Sequence, residues 1–109
     1  MSIRVNTCAV SVIILSVVLA AAGHARAATP AGETLAQRWC SQCHAVKRNQ
    51  SSANRAAPRF SDLAAEPSIT EYSLRVFLKI PHPTMPNFMM KPDDIDDIVS
   101  YILSLKPRR

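Results

Sequence analysis

The sequence is poor in glycine, with two among 109 residues, and only 6% of its side chains are aromatic. An all-β sandwich or barrel needs many Gly-rich turns, so two glycines beside eight prolines argue against one. No segment sustains the apolar–polar alternation of a strand, and there is no internal repeat and no low-complexity block. A chain of 109 residues is short for more than one domain. The apolar fraction of 48% and a net charge of +5 are ordinary, which excludes a disordered chain. The basic residues stand without any recognition motif, so a pI near 9.6 does not imply nucleic-acid binding. Cysteine is also scarce, three in all. That is too few for a disulfide framework.

What is present is unevenly spread. An n-region carrying Arg4 leads into an apolar run from Cys8 to Ala22, and Ala25-Arg26-Ala27 follows. This reads as a secretory signal over residues 1–27, cleaved before Ala28, with the functional domain at 28–109. The run has 15 residues, fewer than the ~20 of a membrane span. No Leu-Ala-Gly-like triplet precedes Cys8, which disfavours a lipid anchor. Export places the mature protein in the periplasm, with no stable membrane insertion after cleavage.

The mature chain keeps 82 residues, 11 basic and 8 acidic, with Cys40 and Cys43 as its only thiols. A domain of this size buries only about 60% of its unfolded surface and often needs a staple. A bridge across two intervening residues closes too small a loop to organise a fold. Some other covalent or metal-centred core is therefore required.

The elements are helical. A short helix is expected from Ala31 to about Trp39, with Leu35 and Trp39 on one face. Residues 45–67 are polar and read as a long loop, broken by a helical turn around Pro58–Ala65; such loops are uncommon unless they wrap something. Ser68 and Glu71 have the spacing of a capping box, opening a helix to about Lys79 with Tyr72, Val76, Phe77 and Ile80 on one side and Pro81 as its stop. The last helix begins at Pro92, with Asp93, Asp94, Asp96 and Asp97 near its positive end and Lys106 at its negative end. Ile95, Ile98, Val99, Ile102 and Leu105 form its apolar stripe. The fold class is all-α.

The decisive motif is Cys40-Ser41-Gln42-Cys43-His44. Two thiols two residues apart, followed at once by an imidazole, match the c-type haem attachment signature. One turn of chain brings both sulfurs to the vinyl groups of one porphyrin edge, and His44 then points under the ring toward the iron. A redox Cys-x-x-Cys pair would want a βαβ context. A zinc site would want a second ligand pair, and only His82 stands downstream.

On these residues the mature chain resembles the small monohaem c-type cytochromes of class I, the mitochondrial-like group, over nearly all of residues 31–105. The resemblance implies a cytochrome c fold of three to four short helices wrapped around one covalent haem c. In it the first and last helices cross at right angles, with Gly32 allowing close approach beside Ile98 and Tyr101. It implies Met85, which directly precedes Pro86, as the distal iron ligand. His82 is the competing candidate, and Met89 and Met90 read as apolar fillers packing with Phe88 near the ring. It also implies that the carbonyl of Pro58, two residues before Phe60, receives the second N–H of His44. Trp39 is expected to pack against the macrocycle or a helix.

The functional expectation is a monomeric periplasmic one-electron carrier, not an enzyme, with His44 and Met85 as iron ligands and Leu35, Phe60, Leu63, Leu74, Phe77 and Ile98 as the apolar shell. Its partners would be a donor and an acceptor redox protein, membrane-bound or periplasmic. Arg38, Lys47, Arg48, Arg55 and Arg59 near the motif suit an acidic partner patch, or an ordinary solvated surface. Two alternatives share the same residues: a haem c subunit of a periplasmic dehydrogenase complex, and a gas-sensing or peroxidase-like protein with a labile distal ligand.

Overall fold

The structure, a computed structural model, describes residues 30–80 and 83–107. Among the described residues there are four helices and no strand, as the sequence leads one to expect: α1 Pro30–Trp39, α2 Phe60–Ala65, α3 Glu71–Lys79 and α4 Pro92–Ser104. The proposed signal, residues 1–27, and His82 lie outside the described residues.

Helix α4 organises the rest. Pro92 occupies its first turn, where the missing N–H costs nothing, and Asp93 and Asp94 sit at the positive end of its dipole. Ile95, Ile98, Val99, Ile102 and Leu105 are all buried, so the stripe read at spacings of three and four is the core. Burying each such side chain stabilises the fold by roughly 1.5–3 kcal/mol. The other three helices all pack on α4.

Helix α1 meets α4 through its smallest residues, Gly32 and Ala36. A Cβ added to Gly32 would collide with the carbonyl oxygen of Asp97, and would lie 2.8 Å from that residue's carbonyl carbon and 2.9 Å from Cβ of Tyr101. Glycine is therefore required here by the approach of two backbones.

Helix α3 attaches to α4 through buried Leu74 and partly buried Leu78, and through Arg75. The guanidinium donates to Asp96 at 2.6 Å and pairs with Glu71 at 2.7 Å. The cap of α3 differs from the expected one. Thr70, not Ser68, is the N-cap: its hydroxyl accepts from the Ser73 N–H at 3.1 Å, and the Ser73 hydroxyl accepts from the Thr70 N–H at 2.8 Å. Ser68 instead turns to the Glu66 carboxylate, within the bend that precedes the helix. The face carrying Tyr72, Val76, Phe77 and Ile80 points away from α4, with Tyr72 77% and Phe77 52% exposed.

The long loop is tied down along its length. The Tyr101 hydroxyl donates to the carbonyl of Val46 at 2.9 Å in a buried position. Arg48 donates to the carbonyls of Ser104 and Lys106 at 2.9 and 3.2 Å, partnering groups that the end of α4 leaves unpaired. Asn49 adopts φ 61°, in the left-handed region, where the chain turns back.

Candidate cofactor site

The motif begins where α1 ends. The Cys40 N–H still closes a helical bond to Ala36 at 2.9 Å. Its carbonyl then receives two amides, Cys43 at 3.2 Å and His44 at 2.9 Å. This tight turn places both sulfurs and the imidazole on one short reversal of the chain. Cys40 is buried and Cys43 half-buried, and neither is engaged in a disulfide. Burial pushes the Cys40 thiol up to about 11, because desolvation disfavours its thiolate.

His44 is held from the far side of the loop. Its Nδ1 lies 2.7 Å from the carbonyl oxygen of Pro58, the residue expected to receive it. A carbonyl can only accept, so Nδ1 is the donor, and in the neutral imidazole the lone pair then lies on Nε2. Phe60, buried two residues after Pro58, sets its ring 5.4 Å from the imidazole at 48°. The Phe60 N–H donates to the Ala45 carbonyl at 3.0 Å, and the Ala45 N–H donates to the Ser52 hydroxyl at 3.0 Å. These bonds fix the two sides of the loop relative to each other.

Met85 lies in the segment between α3 and α4 and is half-buried. That segment is anchored by Phe88, stacked on Trp39 with centroids 6.4 Å apart and planes 18° from parallel, and by Met90, packed on the core. Trp39 directly precedes Cys40, so this contact joins the methionine-bearing segment to the attachment motif. Met89, expected as an apolar filler near the ring, lies outside the polypeptide core. It is 94% exposed, because Phe88 and Met90 turn inward on either side of it.

The residues present fit a covalently held porphyrin. Two unpaired sulfurs and an imidazole with its second nitrogen free share one turn. An open apolar groove runs along α3, lined by Tyr72, Ser73, Val76, Phe77 and Ile80. Phe77, expected in a closed apolar shell, is half exposed because the polypeptide alone does not cover this face. Leu35 and Leu63 pack partly buried against the core, while Phe60, Leu74 and Ile98 are within it. Among the described residues no three His, Cys, Asp or Glu side chains gather into a site for a metal ion alone. No helix among them is long and apolar enough to cross a membrane.

Sequence reasoning missed Ser52, the bonds that Arg48 makes to the end of α4, and the Trp39–Phe88 stack. Ser52 sits in a polar run with nothing local to distinguish it from Ser51, and the other contacts join residues about fifty apart.

The sequence model of the family described as Cytochrome c matches residues 30–106. Among characterised proteins, the chain is similar to Cytochrome c-552 of Bradyrhizobium diazoefficiens, with 39% identity over 92 residues, covering 84% of this chain and 82% of that protein. No solved structure gives a significant match.

Proposed function

The chain belongs to the cytochrome c family, an electron-transfer protein with covalent haem c, and on that premise we propose that it is a soluble periplasmic one-electron carrier with His44 and Met85 as axial ligands. When bound, haem c supplies a reversible one-electron couple at iron. Cys40 and Cys43 hold the ring through thioethers. His44 would present Nε2 to the metal, and Pro58, by accepting from Nδ1–H, selects the neutral tautomer whose lone pair lies on Nε2. A carbonyl partner also makes a ligating imidazole a stronger donor. Met85 offers a thioether, which favours the ferrous state and raises the potential. With His44 and Met85 both given to the iron, the chain would leave no ligand position for oxygen or substrate, and its task would reduce to holding the couple and presenting it to donor and acceptor redox proteins.

The observation that carries this reading is the His44–Pro58 hydrogen bond, because it orients one nitrogen of the imidazole as a ligand and spends the other on the fold. The position of Met85 directly before Pro86, in a segment pinned to Trp39 through Phe88, supports its role as the second ligand. Removal of residues 1–27 and release into the periplasm follow from the export reading.

The test is visible spectroscopy of protein exported from a host with haem-maturation machinery. The ferric protein should show the far-red absorption of an iron–thioether bond. That absorption should vanish in Met85→Ala and survive in Met89→Ala, Met90→Ala and His82→Ala. Its persistence in Met85→Ala, or rapid carbon monoxide binding by the reduced parent at neutral pH, would overturn the ligation. Mass spectrometry of the periplasmic fraction should give a chain beginning at Ala28 and carrying one haem. Co-elution with another polypeptide through a salt gradient would replace the free carrier by a complex subunit.

A further inference from the structure

Pro58 restrains the ring of His44, and a hydroxyl restrains the peptide behind it. The peptide unit joining His44 to Ala45 presents the Ala45 N–H in a residue only 2% exposed. That N–H donates to the Ser52 hydroxyl at 3.0 Å. The carbonyl of the same Ala45 accepts the Phe60 N–H at 3.0 Å, and Phe60 follows Pro58 by two residues. The peptide attached to the Cα of His44 is thus tied to Ser52, and the next one to the segment that carries the acceptor of the ring. Removing the Ser52 hydroxyl would leave a buried amide without its partner. The peptide plane that leaves the Cα of His44 would then lose the bond that fixes its orientation.

We infer that Ser52 is a positioning residue for the axial imidazole: its hydroxyl fixes the His44–Ala45 peptide plane and so sets the alignment of the His44 Nδ1–Pro58 hydrogen bond. This rests on His44 being an axial ligand. Ser52 acts only through the chain. A well-aligned Nδ1–H···O bond increases the donor strength of Nε2 and favours ferric iron. Loosening it shifts the couple the other way.

The experiment compares parent, Ser52→Ala, Ser52→Thr and Ser51→Ala as full haem-loaded proteins. Ser52→Ala should raise the reduction potential and move the hyperfine-shifted haem methyl resonances, which report the orientation of the axial ring. Its Ala45 amide should exchange at least tenfold faster. Ser52→Thr, which keeps a hydroxyl, should restore all three readouts, and Ser51→Ala should match the parent. A Ser52→Ala protein with the parent's potential and methyl pattern overturns the inference while leaving His44 ligation standing. A ferric parent without axial-imidazole resonances overturns the ligation itself and the inference with it. Should Ser52→Ala not fold, amide exchange in the parent decides: slow exchange at Ala45 supports the tether, and free exchange overturns it.

Discussion

Substituting Gly32 by alanine tests the junction on which the fold turns. The added methyl would meet the carbonyl oxygen of Asp97, with that residue's carbonyl carbon at 2.8 Å and Cβ of Tyr101 at 2.9 Å. Two of these are backbone atoms of α4 and the third is fixed to its backbone, so no side-chain rotation relieves the clash. The helices must separate, which loosens the contacts of Ala36, Ile98 and Tyr101. Overpacking in a closed core costs about 1–3 kcal/mol, and rigid neighbours place this site near the upper end. Against that, replacing glycine in a helix returns up to about 1 kcal/mol. The net loss is ~2 kcal/mol, a large share of the stability of a small domain. Guanidinium titration of the ferric haem protein should show the midpoint falling by roughly half to one molar. Thr34→Ala, on the exposed side of the same helix, should stay within about 0.5 kcal/mol of the parent. A Gly32→Ala protein as stable as the parent would refute the close-approach argument, because helix propensity alone predicts a gain.

Other expectations follow from single contacts. Thr70→Ala should cost about 1 kcal/mol in the same titration, and Ser68→Ala markedly less, since only Thr70 caps α3. Tyr101→Phe should lose about 1 kcal/mol with the buried bond to Val46. Desolvation, and after it the charge of Glu33, raises the Tyr101 pKa above 10, so the fold favours the neutral phenol. Its contribution is complete below pH 10 and declines as pH rises through and beyond that value. The parent should therefore lose stability in alkali more steeply than Tyr101→Phe. Arg75→Ala should lower the unfolding midpoint by detaching α3 from Asp96, and the gap from the parent should narrow in molar salt, which screens partly exposed ion pairs.

The parts legible in the sequence are those whose causes are local. Pro92, the first-turn aspartates and the apolar stripe of α4 lie within one helix, and their spacing states both the element and its buried face. The motif from Cys40 to His44 is equally local. The cap of α3 differs from the expected Ser68–Glu71 box because the turn at Glu66 takes up the Ser68 hydroxyl, leaving Thr70 and Ser73 to close the helix. The exposed face of α3 was hidden for a different reason. Its helix carries apolar residues on more than one side, and periodicity cannot say that Leu74 and Leu78 face α4 while Tyr72 and Phe77 do not. Ser52 and Arg48 were unreadable because their partners are chosen by where the loop lands. Pro58 became readable only through resemblance, since nothing near it in the chain marks its carbonyl.

The stack of Trp39 on Phe88 gives the protein an optical label of its own. Trp39 is the sole indole in the chain, so tryptophan emission originates at one point, where the residue before Cys40 meets the strap bearing Met85. Energy transfer to a porphyrin bonded at Cys40, the next residue, would quench that emission whether or not the strap is seated, so the signal that reports the strap is the stack itself. Near-ultraviolet dichroism of Trp39 in a denaturant series would follow the parting of Trp39 from Phe88, while far-ultraviolet dichroism follows the helices. Any gap between the two curves would measure how far the methionine segment detaches before the helical frame gives way.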